Sequence, residues 1–170
     1  MLDTEAGLER ALAIAYRYLN SRERTRAETS AHLQGKGIDE RDTEQAIQAL
    51  TDQGYLDDAR FARLFVQDKR ELEQWGTDRI RQALRRRGVD PEAAEAALAE
   101  HDQDHGHDRC YDSKTSEIDR ALAILRQRFP SPSADRRERE RALAVLLRKG
   151  YDSDLALEAI AAHSRDVDAY

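Results

Sequence analysis

A leucine-bearing helical segment that ends at a glycine, turns through an apolar residue and an aspartate, and enters a second helical segment occurs three times in this 170-residue chain. The copies are Leu33-Gln34-Gly35-Lys36-Gly37-Ile38-Asp39, Leu84-Arg85-Arg86-Arg87-Gly88-Val89-Asp90 and Leu146-Leu147-Arg148-Lys149-Gly150-Tyr151-Asp152. Ten residues beyond each glycine lies Ile47, Leu98 or Ile160, each preceded by an alanine, Ala46, Ala97 or Ala159. A period of roughly 50 residues is that of stacked helical units, which build extended binding surfaces more readily than enclosed active sites.

Each element of the repeat has a physical reason. A helix commonly ends on a left-handed residue, where glycine carries no Cβ penalty, and the apolar residue that follows folds back on the last turn. Its partners here are Leu33, Leu84 and Leu146. The aspartates suit the N-cap of the next helix, because a short carboxylate accepts from the unpaired N–H groups there and favours the positive end of the dipole. Pro91 after Asp90 fits the first helical position, and Thr25-Arg26-Ala27-Glu28 reads as a capping box.

Between these markers the apolar spacing predicts nine helices in three sets of three. Leu8, Leu12, Ala15 and Leu19 form one face of the first. Phe61, Leu64, Phe65 and Leu72 are the predicted buried stripe of the fourth, which Trp75-Gly76 ends. Ile80, Ala83 and Leu84 mark the inner face of the fifth, and Ile118, Leu122 and Leu125 that of the seventh. Leu143, Leu146 and Leu147 are the predicted apolar set of the eighth. The expected fold is all-α, with three-helix repeats over 1–54, 55–102 and 117–170 and a polar linker over 103–116. Hydrophobic content of 39% beside charged content of 36% suits thin amphipathic units with small cores.

Charge tracks the repeat. The chain carries a formal −6, yet Arg60 to Arg87 holds nine basic and four acidic side chains, and Arg120 to Lys149 nine and three. Ile38 to Asp58 has one basic and seven acidic residues, and Gly88 to Asp112 one and eight. The first two helices of the later copies are therefore basic and the last helix of every copy acidic.

Arg60, Arg63, Gln67 and Arg70 fall at helical spacing on the face opposite Phe61 and Phe65. Together with Arg79, Arg81, Arg85, Arg86 and Arg87 of the next helix they predict a basic surface suited to phosphate or carboxylate recognition. Trp75 and Tyr55 read as packing anchors in preference to base-stacking platforms. His101, His105, His107 and Cys110, interleaved with Asp102, Asp104 and Asp108, have metal-ligand chemistry but no zinc spacing, so a solvated linker without metal is the expectation. Cys110 is the only cysteine, which excludes an intrachain disulfide. No phosphate-cradling glycine loop, metalloprotease histidine pair or serine elbow is present, and a protein with no catalytic residues and no cofactor is expected. No stretch has the length of a membrane span and the N-terminus lacks the order of a secretory signal, so a soluble cytoplasmic protein is expected, without membrane partners.

Tyr55-Leu56-Asp57-Asp58-Ala59-Arg60-Phe61-Ala62, followed by Trp75-Gly76-Thr77-Asp78-Arg79-Ile80-Arg81-Gln82-Ala83-Leu84 and Arg87-Gly88-Val89, resembles the central signature of the RecX family, bacterial regulators of the RecA recombinase. The likeness extends more weakly across most of the chain, including Arg148-Lys149-Gly150-Tyr151. It implies three tandem three-helix units in an elongated, curved molecule lying in the groove of the RecA filament on DNA. It also implies inhibition of strand exchange, ATP hydrolysis and co-protease activity by blocking filament extension or promoting disassembly, in DNA repair, recombination and the SOS response. The expected partner is the RecA filament, with DNA contacted mainly inside it and the protein itself a monomer. The expected contact set is Arg60, Arg63, Arg70, Arg79, Arg81, Arg85 and Arg86. The alternatives are a helical DNA-binding module acting without RecA and an adaptor that docks peptides. Two departures from the family pattern stand out: a long His101–Ser116 stretch, and Thr77 where proline is common.

Overall fold

The glycine turns set where the helices end. Gly37, Gly88 and Gly150 all take left-handed backbone angles, with φ of 78°, 77° and 86°. In each turn the N–H of the following apolar residue reaches back to the leucine carbonyl: Ile38 to Leu33 at 3.1 Å, Val89 to Leu84 at 3.1 Å and Tyr151 to Leu146 at 3.2 Å. The glycine N–H closes the shorter bond, to Gln34, Arg85 and Leu147 respectively. This is the Schellman arrangement, and both members of each apolar pair are buried. Gly54 makes a further turn of this type, Tyr55 N–H donating to the Leu50 carbonyl at 2.9 Å.

The structure is a computed structural model that describes residues 2–104, 113–130 and 135–165. Among these residues the regular structure is helical: α1 (Leu2–Leu19), α2 (Arg26–Gly35), α3 (Glu40–Asp52), α4 (Asp58–Glu71), α5 (Thr77–Arg86), α6 (Pro91–Asp104), α7 (Ser113–Arg128), α8 (Arg136–Lys149) and α9 (Ser153–Arg165). The caps follow the sequence. Thr25 and Glu28 close a reciprocal capping box. Asp39, Asp57, Asp90 and Asp152 accept from the N–H groups of Asp42, Arg60, Glu92 and Asp154 at 2.8–2.9 Å. Helices α6 and α7 run further than the sequence pattern predicts, into the stretch read as lacking helical order; residues 105–112 lie outside the described residues. No Gly or Pro interrupts either extension, and polar side chains hide an apolar period without opposing a helix.

The chain divides into two compact units, Met1–Leu64 with Leu84–Ala94, and Phe65–Ala83 with Glu95–Tyr170. The first is built on a core of Ala11, Ala15, Leu33, Ile38, Ala46, Ile47, Leu50 and Leu56 from α1, α2, α3 and the turn after α3. Against it the Gly88 turn docks on the start of α2: Thr25 Oγ1 donates to the Arg87 carbonyl at 2.6 Å, and a Cβ on Gly88 would stand 2.3 Å from that of Ala27.

The second unit repeats this device with different residues. Its core joins Leu122, Ile124 and Leu125 of α7, Val145 and Leu146 of α8, Tyr151, and Leu155, Ala159 and Ile160 of α9. The Gly150 turn lies against Gly76, whose N–H donates to the Lys149 carbonyl at 2.8 Å. A Cβ on Gly76 would come within 2.3 Å of the Gly150 carbonyl oxygen, so backbone meets backbone and only glycine fits.

Candidate interaction surfaces

The predicted arginines divide between the two units. In the first, Arg63, Arg85 and Arg86 are exposed and Arg60 is half-buried. Arg60 Nη1 donates to the Gly54 carbonyl at 3.2 Å, and Nη2 approaches Glu23 at 3.4 Å. Arg87 is held more firmly, with Nη1 3.0 Å from Glu28 and its guanidinium 5.6 Å from the centre of the Phe61 ring. That contact sets the end of α5 beside the start of α4, so Arg63, Arg85 and Arg86 come from neighbouring segments of the first unit.

In the second unit the prediction for Arg70 is corrected: it does not face outward but is buried, with 3% of its surface exposed. The inner face of α4 runs through Ala62, Val66 and Arg70 at i+4 spacing, while Leu64 and Leu72, expected inside, are 45% and 78% exposed. Arg70 Nη2 donates to Thr77 Oγ1 at 2.9 Å and Nη1 to the Trp75 carbonyl at 3.4 Å. Asp102 and Glu117 lie 3.8 and 3.7 Å from the guanidinium, and Arg120 lies 3.2 Å from the same Asp102 oxygen. Burial lowers the Arg70 pKa, with Arg120 adding to that effect and the two carboxylates opposing it. Burial would raise Asp102, yet His101, Arg120 and Arg70 together hold it below the usual carboxylate value. His101 Nδ1 stands 3.7 Å from that carboxylate, too far for a hydrogen bond, so the guanidinium groups carry most of the effect. Thr77, the departure from proline, is part of this cluster: its N–H donates to Glu117 at 2.7 Å, a bond proline cannot make.

Arg81 and Arg79 are engaged in different ways. Arg81 forms a fork with Glu95, at 2.5 and 3.1 Å, and also reaches Asp78 at 2.7 Å. The Glu95 hydrogen bond raises the Arg81 pKa and lowers that of Glu95. Arg79 lies 3.9 Å over the Trp75 ring and donates from Nη1 to the Arg148 carbonyl at 2.8 Å. Trp75 also meets Phe65 edge to face at 6.4 Å and Lys69 at 4.9 Å, which fits the packing role expected of it. Tyr55, the other predicted anchor, is exposed and packs edge-on to Tyr16 at 5.2 Å.

Sequence reasoning passed over Lys69, Arg128, Arg148 and Lys149. The surplus of basic residues between Arg120 and Lys149 was the available signal, but it named no site. Burial lowers the Lys149 pKa, and the Arg128 and Arg79 charges lower it further against the opposing pull of Glu73. His105, His107, Cys110 and Asp108 lie outside the described residues. Among the described residues no group of three or more metal-ligating side chains gathers, and no helix is long and apolar enough to cross a membrane.

Comparison with known proteins covers each repeat. The model of the first RecX three-helix domain matches residues 11–58, that of the second 57–98 and that of the third 115–160. The regulatory protein RecX of Halorhodospira halophila is 33% identical over 167 residues, covering 98% of this chain and 96% of that protein. The Mycobacterium sp. (strain KMS) protein of the same name is 32% identical over 158 residues, with 89% and 80% covered. The crystal structure of RecX from Lactobacillus salivarius superposes with a TM-score of 0.76 at 22% identity, over 94% of this chain and 97% of that one, so the fold is shared. With all three helical domains matched in order, the chain belongs to the RecX family of regulatory proteins.

Proposed function

We propose that this protein binds the RecA recombinase filament and restrains its strand-exchange, ATPase and co-protease activities, by blocking filament extension or promoting disassembly. The single observation behind this reading is that one chain carries the three RecX domains in order over most of its length. Regulation is by binding in the cytoplasm as a monomer, in the service of DNA repair and recombination, with no chemistry and no cofactor of the protein's own.

The exposed cations of the first unit, Arg63, Arg85 and Arg86, are the principal contacts. Arg60, Arg79 and Arg81 complete the set, their guanidinium groups lying beside Glu23, beside Trp75 and a carbonyl, and beside Glu95. Arg70 makes no contact with the partner. Charge at an interface acts chiefly on encounter and register, so reversing three rim arginines should weaken the complex strongly at low salt and less at high salt.

The test measures RecA ATPase on single-stranded DNA with substoichiometric amounts of this protein. The wild-type chain inhibits, and a variant carrying Arg63→Glu, Arg85→Glu and Arg86→Glu needs about tenfold more protein for the same inhibition. Full potency in a variant of unchanged helicity would remove these residues from the contact set. No effect of the wild-type protein on ATPase would overturn the reading itself.

A further inference from the structure

We infer that Lys149 is a covalent modification site, at which the side-chain amine takes an acyl group from a small acyl phosphate held by the neighbouring Arg79 guanidinium. The lysines of the chain are Lys36, Lys69, Lys114 and Lys149. Lys69 is paired with Glu73 and lies against the Phe65 and Trp75 rings, so its ammonium is already occupied. Lys36 stands exposed at the C-terminal end of α2. Lys149 is half-buried and makes no ion pair with a carboxylate among the described residues; its Nζ donates to the Glu73 backbone carbonyl instead. Arg79 is fixed against both residues that flank it. Its Nη1 donates to the Arg148 carbonyl at 2.8 Å, and its Cβ lies 2.2 Å from where a Cβ on Gly150 would stand. The Gly76 N–H holds the carbonyl of Lys149 itself at 2.8 Å. The Arg79 guanidinium lies 3.9 Å over the Trp75 ring, and its remaining donors are open to solvent. Burial lowers the Lys149 pKa, and the Arg128 and Arg79 charges lower it further, which raises the share of neutral amine.

An amine without a counter-ion beside a fixed guanidinium suits an electrophile that carries its own phosphate. The guanidinium takes the phosphate oxygens on its free N–H edge, which sets the acyl carbon beside the amine. A deprotonated Nζ keeps one N–H on the Glu73 carbonyl and presents its lone pair. That lone pair attacks the acyl carbon, the C–N bond forms, and the bond from the carbon to the phosphate oxygen breaks. Inorganic phosphate leaves with the bonding pair, and the extra amine proton passes to it or to water. The product is a neutral amide whose remaining N–H still suits the Glu73 carbonyl. Acylation therefore takes one charge from the joint without opening it.

The test incubates the full chain with acetyl phosphate at neutral pH, without RecA or nucleic acid, and follows each lysine by peptide mass spectrometry. The initial rate at Lys149 should exceed that at Lys36 at least about fivefold, since one charge-assisted hydrogen bond to the phosphate is enough for a factor of that size. Inorganic phosphate should slow the reaction at Lys149 and leave Lys36 unaffected. With the acetyl ester of N-hydroxysuccinimide, which carries no phosphate, the preference for Lys149 should shrink. Arg79→Lys keeps a cation but loses the planar fork, so acetyl phosphate should lose its preference while that of the ester is unchanged. Circular dichroism melts check the folding of this variant, and should show acetylated wild-type protein melting no lower than untreated protein. Equal rates at Lys149 and Lys36, or a full preference in folded Arg79→Lys protein, overturns the inference. So does an equal preference with the ester, which would leave Arg79 without a part. A lower melt after acetylation overturns the closed joint. Because RecA is absent, none of these outcomes bears on filament inhibition, and either proposal can fail alone.

Discussion

Replacing Arg70 with methionine tests what joins the second repeat to the third. Methionine fills most of the volume and leaves the charges of Asp102 and Glu117 without their guanidinium partner. Removing one member of a buried pair costs about 3–5 kcal/mol when the remaining charge is stranded. Here the figure must be reduced. Asp102 keeps Arg120 at 3.2 Å, Glu117 keeps the Thr77 N–H at 2.7 Å, and the carboxylates stood 3.7–3.8 Å from Arg70, beyond hydrogen-bond range. The bond certainly lost is the 2.9 Å donation to Thr77, with the longer one to the Trp75 carbonyl. A charged hydrogen bond of this kind contributes about 1.5–3 kcal/mol, so a destabilisation of about 2–3 kcal/mol follows.

For a chain of this size that is a fall in Tm of about 5–10 °C. The assay is a far-ultraviolet circular dichroism melt at neutral pH, repeated down to pH 3. Asp102 has a folded-state pKa below its ordinary value of 3.8, so its contribution is present above that value and lost as pH falls through the lower, folded one. With Arg70 removed, the burial that pushes Asp102 upward is less opposed, its folded-state pKa lies closer to the ordinary value, and the loss of stability on acidification should be smaller than in the wild type. A variant as stable as the wild type at neutral pH, with the same acid profile, would refute the argument and show that the pair costs as much in desolvation as it returns.

Other predictions follow from single contacts. Gly37→Ala meets open space and should cost about 1–2 kcal/mol from left-handed strain alone, whereas Gly150→Ala adds a 2.2 Å collision with the Arg79 Cβ and should cost appreciably more; equal melts would remove the docking role. Thr77→Pro deletes the N–H that donates to Glu117, so the melt should fall, and an unchanged Tm would show that bond to be idle. Burial pushes the Tyr151 phenol up to about 12, so this tyrosine should resist ionisation in an alkaline ultraviolet titration. Its stabilising effect is complete below the ordinary tyrosine value of 10.0 and disappears as pH rises through about 12; a Tyr151→Phe variant with the wild-type alkaline melting profile would contradict this.

The helices were legible because their limits are local events. A Schellman turn or a capping box is decided within about six residues, and Leu33 with Ile38 or Thr25 with Glu28 carries the whole signal. Which side of a helix faces inward is decided elsewhere. On α4 the large apolar residues suggested Phe61, Leu64, Phe65 and Leu72, but the burial of Val66 and Arg70 turns the face toward α6 and α7, whose Asp102 and Glu117 receive the guanidinium. A residue's own spacing cannot report partners 32 or 47 positions away. In α8 the same limit applies: Ala142, Val145 and Leu146 are buried, and Leu147, expected with them, lies outside.

The arginines were legible as a population and not as individuals. Sequence gives the sign of a face, while geometry decides how much of each charge remains available. On this chain Arg63, Arg85 and Arg86 stay exposed, Glu95 occupies Arg81, and Arg70 serves the interior. Glycine carries a similar double meaning. Gly37 needs only its left-handed angle, Gly76 only the close approach of another backbone, and Gly88 and Gly150 need both. The repeat that marks helix ends in the sequence therefore also marks, in two of its three copies, where one repeat is fastened to the next. Substitutions there should alter the joint before they alter the helices, and the cations beside the joint at Gly150 will move with it.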